Sequence, residues 1–152
     1  MPTKRSIHAP QVAEPPPQTW SNCLVVGNQV FIAGMTAASM GEVGSPDMYD
    51  QAKAVFNKIK YLIEAAGGEM NDIVKVNIFV TDIERREEVW RARREFFRGD
   101  FPVSTLVEVA ALARPDLLVE IEALAFSWSR PAVAPSRQRN EVIVLGRVST
   151  TD

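Results

Sequence analysis

The sequence predicts an α+β fold: a mixed sheet with two helices on one face, in the order β-β-α-β-α-β-β. Three observations point there. Gly27-Asn28 splits two runs rich in β-branched residues, an apolar stripe at helical spacing extends from Ala52 to Ala66, and the alternating run from Ile73 to Val80 leads into a helix-start motif. A chain of 152 residues is expected to form one domain.

Taken in order, residues 1–19 read as an N-terminal arm, Pro-rich at Pro15-Pro16-Pro17, holding a short strand around Arg5–His8. Residues 21–26 (SNCLVV) and 29–33 (QVFIA) then pair as a hairpin, because Gly and Asn suit a two-residue turn. Ser45-Pro46-Asp47 supplies an N-cap, a first-position proline and an acid for the first helix. Its stripe is Ala52, Val55, Ile59, Leu62, Ile63 and Ala66, and Gly67-Gly68 ends it. In the next strand Val74, Val76, Ile78 and Val80 are expected on one face, with Lys75, Asn77 and Phe79 on the other. Thr81 to Glu84 matches a capping box, which sets a second helix from about Asp82 to Phe97. Strands Val103–Ala111 and Leu117–Trp128 complete a domain over residues 20–128. Residues 129–152 read as a C-terminal extension, with EVIVL (141–145) a candidate edge strand.

Composition narrows the function classes. Seventeen basic against nineteen acidic residues argue against a protein dominated by phosphate binding, so no nucleic-acid partner is expected. One cysteine (Cys23) and one histidine (His8) exclude an internal disulfide and a His/Cys metal site. Cys23 reads as a packed thiol, and His8 as a solvated or locally bonded side chain of the arm. No apolar stretch approaches the ~20 residues that span a bilayer, and the N-terminus lacks a signal-peptide apolar core. A cytoplasmic protein without a membrane partner is the expectation. Arg85, Arg86, Arg91, Arg93, Arg94 and Arg98 are interleaved with Glu84, Glu87, Glu88 and Glu95, which reads as a salt-bridged exposed helix face.

The sheet face without helices is expected to carry Lys75, Asn77 and Phe79, then Ser104, Leu106 and Glu108, then Glu120 and Glu122, with Phe31 among them. Lys75 is expected to neutralise Glu108 or Glu122. Large apolar groups mixed with charges suit a subunit contact, with pockets at its rim.

Three segments resemble the Rid family, the reactive-intermediate deaminases also called the YjgF group: VVGNQVFIAG (25–34), IEAAGGEMNDIVKVNIFVTDI (63–83) and VEVAALARPDLLVEIEALA (107–125). The resemblance covers about residues 20–127. It implies a chorismate-mutase-like fold of the bacillus type, assembled as a homotrimer around a central barrel with clefts between subunits. It also implies hydrolysis of enamines and imines to a keto acid and ammonia without a cofactor. Carried over by position, the carboxylate near water and imine is Glu120, the glycine closing the second strand is Gly34, and the residue before it is Ala33. Trp20 takes the place of an aromatic residue, often tyrosine; Trp90 stands where the pocket has an asparagine, and Leu106 where it has a small residue, often cysteine. The family's P-x-R-S arginine, which grips a substrate carboxylate, is replaced: the segment reads Phe101-Pro102-Val103-Ser104-Thr105, with Ser104 at the arginine position.

On this reading Glu120 is the catalytic residue of a hydrolase acting on an imine, enamine or related C–N centre. Trp20, Ala33, Gly34, Trp90, Ser104, Thr105, Leu106 and Arg114 bind the substrate, and no metal or cofactor is called for. Arg114 is a candidate replacement cation. Specificity is expected to shift toward an aromatic or uncharged substrate. The alternative is a trimeric small-molecule binding or sensor protein that does no catalysis.

Overall fold

The computed structural model describes residues 1, 3–39 and 42–127. Trp128, the C-terminal extension and its candidate strand at 141–145 lie outside the described residues. The six-stranded main sheet runs in the order β1 (Lys4–Ser6), β2 (Cys23–Val26), β3 (Gln29–Thr36), β8 (Val119–Phe126), β6 (Ile73–Val80) and β7 (Val103–Glu108). Among the described strands only β6 and β7 pair in parallel. A second, two-stranded sheet pairs β4 (Ala38–Ser39) with β5 (Glu42–Val43) antiparallel. Both helices, α1 (Met48–Ala65) and α2 (Arg86–Arg93), belong to the covered side of the sheet: α1 packs on β3 and β8, and α2 packs on α1. The α+β expectation therefore holds.

The first strand lies at Lys4–Ser6, slightly before its expected place, and Ile7, Ala9 and Val12 of the arm enter the core behind it. Gly27, at φ 61°, fills the first central position of the β2–β3 turn, where a residue with a Cβ would be strained. Helix α1 starts later than Ser45 suggests. Asp47 is the cap, its carboxylate accepting from the Asp50 N–H at 3.0 Å, while Ser45 Oγ accepts from the Asp47 N–H. Its stripe behaves as expected: Ala52, Val55, Ile59, Leu62 and Ile63 are fully buried, joined by Met48 and Phe56. At the far end the Gly68 N–H reaches back to the Ile63 carbonyl and Gly67 takes φ 91°, a glycine-dependent stop.

The second helix is shorter than Asp82–Phe97. Asp82 caps a single 3-10 turn, Ile83–Arg85, and regular helix covers only Arg86–Arg93. Beyond it the chain tightens into turns that place Phe96 and Phe97 against Phe56, at ring separations of 5.3 and 5.9 Å. Aromatic packing thus overrides the local helical pattern. Strand β7 ends at Glu108 rather than Ala111, and β8 spans Val119–Phe126 rather than Leu117–Trp128.

Two register features decide which side chains face where. A bulge between Ile73 and Lys75 turns Val74 outward, away from the valines that sequence alternation groups it with. Parallel pairing sets Val76 beside Ser104, Ile78 beside Leu106 and Val80 beside Glu108. Those three β7 residues therefore face the helices, not the open side as expected, and Val103, Thr105 and Val107 take the open side instead.

Gln51 ties α1 to the loop before β8. It is 1% exposed, its amide donates to the carbonyls of Ser45 and Asp116 at 2.9 Å each, and its oxygen accepts from the Leu118 N–H at 2.9 Å. Replacing it with leucine removes the partner of three part-buried backbone groups. Gln51→Leu is expected to lower unfolding free energy by about 3 kcal/mol, read as a lower urea midpoint at unchanged slope.

Candidate functional site

Glu120 projects from β8 onto the open face of the sheet, between Thr36 of β3 and Phe79 of β6. A bulge between Ile32 and Met35 brings the Gly34 backbone beneath it. A Cβ built at Gly34 would stand 2.0 Å from Glu120 Oε1, so the carboxylate occupies the space a side chain there would need. Burial raises the Glu120 pKa above the usual carboxylate range, and the neighbouring Glu122 adds to the shift. Glu122 itself is anchored by Asn77, whose amide donates to its Oε1 at 2.8 Å. Among the described residues Lys75 pairs with neither Glu122 nor Glu108, contrary to expectation. Glu108 instead accepts from the Ile83 N–H at 3.1 Å on the helix side.

Trp20 and Gly34 line a concavity of about 360 Å³ between the arm and the end of β3, together with Asn22, Thr36 and Lys58. The Trp20 indole N–H donates to Asn22 Oδ1 at 3.2 Å, and Asn22 in turn donates to the Ala13 carbonyl, so the arm orients the tryptophan. Lys58 reaches over from α1 and donates to the Thr36 and Ala38 carbonyls, fixing the chain as it leaves β3. Burial lowers the Lys58 pKa. Ala33 lines a second concavity, about 380 Å³, on the open face with Phe31, Asn77 and Glu122.

The remaining sequence-selected residues lie elsewhere. Ser104 and Leu106 are on the helix side of β7, Leu106 packed on the core, and Trp90 is half-buried on α2 with the Arg86 guanidinium 5.8 Å from its ring. Thr105 is on the open face beside Asn77. Arg114 forms a two-pronged pair with Asp116 in the loop before β8. The chain therefore sets Gly34 against Glu120 and beside Trp20 at the end of β3, keeps Ala33 in the separate concavity of the open face, and places Trp90, Ser104 and Leu106 on the helix side of the edge strand.

One polar residue near the second group escaped the sequence reading. Arg93 Nη1 donates to Ser104 Oγ at 3.0 Å, and its guanidinium carbon lies 5.9 Å from the Phe101 ring. The interleaved acids gave no sign of it, because they predict pairing for the helix arginines in general. Cys23 fits its reading: it is fully buried, and burial pushes the thiol up to about 11.

Comparison with known proteins agrees with this architecture. The family model described as Endoribonuclease L-PSP matches residues 10–127. A Dermatophagoides farinae protein named 2-iminobutanoate/2-iminopropanoate deaminase is 33% identical over 126 residues, 82% of this chain and 97% of that protein. The solved structure of a Pseudomonas aeruginosa protein of unknown function is 43% identical with a TM-score of 0.75, covering 84% of this chain and 94% of that one. That of Escherichia coli TdcF with bound serine is 27% identical with a TM-score of 0.74, covering 80% and 98%. With the fold, the hairpin and the VEIEA strand in their places, the chain belongs to the endoribonuclease L-PSP family, the YjgF or Rid group.

Proposed function

We propose that the protein hydrolyses the C–N centre of a small imine or enamine in clefts formed between copies of a homotrimer, with Glu120 as the catalytic residue. The observation that carries this is the Glu120 carboxylate seated over Gly34, half-buried and shifted toward the range useful for moving protons. In the reaction, water adds to the imine carbon while Glu120 takes its proton, the C=N electron pair moves to nitrogen, and the Glu120 carboxyl passes that proton on to the nitrogen. As the C–N bond breaks, the hydroxyl proton returns through the carboxyl group, leaving a carbonyl and ammonia. An enamine enters after protonation at carbon. The names of related proteins support this chemistry.

A trimer accounts for the two separated groups of residues, since packing between copies can bring the edge strand of one chain against Glu120 of another. The open face favours such burial: Phe31 is 43% exposed, Val103 67% and Val107 41%. Ser104 at the position of the family arginine alters specificity, because a hydroxyl cannot supply the charge that holds a carboxylate. Residues 20–128 act as the hydrolytic unit, with the arm shaping the Trp20 side of the cleft.

Two measurements test the proposal. Imines generated in situ by an amino-acid oxidase, from small and aromatic amino acids, are expected to release ammonia faster with the protein than in buffer. Glu120→Gln is expected to lower kcat by roughly 10²–10⁴-fold, the usual contribution of a positioned acid–base. No acceleration with any imine overturns the hydrolase and favours the sensor reading; a monomer mass by light scattering overturns the cleft.

The same variant carries a stability signature. The folded pKa of Glu120 is raised, so its contribution to stability is greatest when it is protonated and falls as pH rises through the ordinary glutamate range to the folded value. Glu120→Gln is therefore expected to melt higher than wild type at neutral pH, with the difference closing below the ordinary glutamate range. A variant that melts lower at neutral pH would contradict a strained carboxylate.

A further inference from the structure

We propose that Arg93 is the anion-binding residue of the site, its guanidinium and the Ser104 hydroxyl together receiving a carboxylate of the ligand. The hydrolase reading enters only in assigning that carboxylate to the substrate.

Among the described residues, Arg93 Nε is the buried side-chain polar atom left without a hydrogen-bond partner. Buried donors are almost always satisfied, so an orphan on a charged group calls for an explanation. Other arginines set the contrast: Arg85 is paired with Glu88, Arg94 with Glu87 and Arg114 with Asp116, while Arg86, Arg91 and Arg98, which show no ion pair among the described residues, are exposed to water. Among the described residues Arg93 meets no carboxylate. Its hydrogen bond goes to a neutral hydroxyl, which satisfies one N–H and leaves the positive charge uncompensated. Burial, and then Arg94 beside it, disfavour the charged form, with no acid opposing them. A half-buried guanidinium in this state lacks one negative partner.

The surroundings can receive that partner. Ser104 accepts from Arg93 through its oxygen, so its own proton is available to donate outward. Both residues lie at the exposed edge of β7, where Phe101 provides an apolar wall and Trp90 stands three residues before Arg93 on the same helix face. A guanidinium edge plus a hydroxyl matches the two oxygens of a carboxylate. The charge missing from position 104 of the strand is thus delivered from the helix. The ligand class becomes a small carboxylate-bearing molecule, instead of the uncharged one that position 104 suggests on its own.

The full-length protein, Arg93→Gln and Arg93→Lys are titrated with 2-oxobutanoate, the keto-acid counterpart of an imino-acid substrate, and with neutral butan-2-one. Arg93→Gln is expected to weaken 2-oxobutanoate at least tenfold, Arg93→Lys about fivefold, and butan-2-one not at all. Equal binding of 2-oxobutanoate by wild type and folded variants overturns the proposal, as does no binding by wild type. If Arg93→Gln fails to fold or assemble, Arg93→Lys decides: weakened binding supports the site, and unchanged binding overturns it. The two readings fail separately. Arg93-dependent binding without ammonia release leaves the anion site standing and removes the hydrolase. Ammonia release with an unchanged KM for carboxylate-bearing imines in folded Arg93 variants removes the anion site alone.

Discussion

The closest constraint in the fold is between a glycine and a carboxylate. Gly34 sits in the bulge of β3, and the Glu120 side chain of β8 fills the volume its missing Cβ leaves open. Any L side chain at position 34 would push the carboxylate aside, since its first carbon would lie far inside contact distance of Oε1. Neighbouring structure holds both strands to this fit. Lys58 binds the carbonyls that follow the bulge, and Gln51 clamps the segment that feeds β8. The core beneath them, with Ile59, Leu62 and Ile121 fully buried, leaves little room for either strand to shift. The carboxylate is held partly out of water, without a cation among the described residues, an arrangement that works against stability and suits chemistry.

The sheet divides the molecule. One face is covered by α1, and its interior polar ties are those of Gln51 and Lys58. The other presents acids, amides and large apolar side chains together. The edge strand β7 is exposed on both sides, so it belongs fully to neither face, and this is where Ser104 and Arg93 meet. Such a strand also leaves a row of backbone groups unpaired, a feature folded proteins usually cover. The proposed trimer resolves strand edge, apolar open face and split site residues together, by packing copies against one another.

Periodicity carried most of the architecture. The α1 stripe, the Gly27-Asn28 turn and the alternation of β8 each leave a burial pattern that one segment displays by itself. What escaped depends on distant partners. In β7 both faces are half exposed, so the residues show no alternation, and only the parallel register with β6 tells which side Ser104 takes. Val74 looks like a core valine until the bulge at 73–75 turns it out. The second helix reads long in sequence, because nothing local shows that Phe96 and Phe97 will be drawn onto Phe56. Of the candidate site, the pairing of Glu120 with Gly34 was legible from the VEIEA strand and the strand-ending glycine. The position of Arg93 was not, since a run of alternating charges gives no sign of which arginine will be half-buried without an acid.

Cys23 has a practical consequence. It is the only sulfhydryl in the chain, it is sealed in the core, and its proton is held more tightly than usual. Maleimide reagents should therefore pass over the folded native protein. A cysteine engineered on the rim would take a single fluorophore or spin label without first deleting the native one, which opens the distances between neighbouring copies to direct spectroscopic measurement.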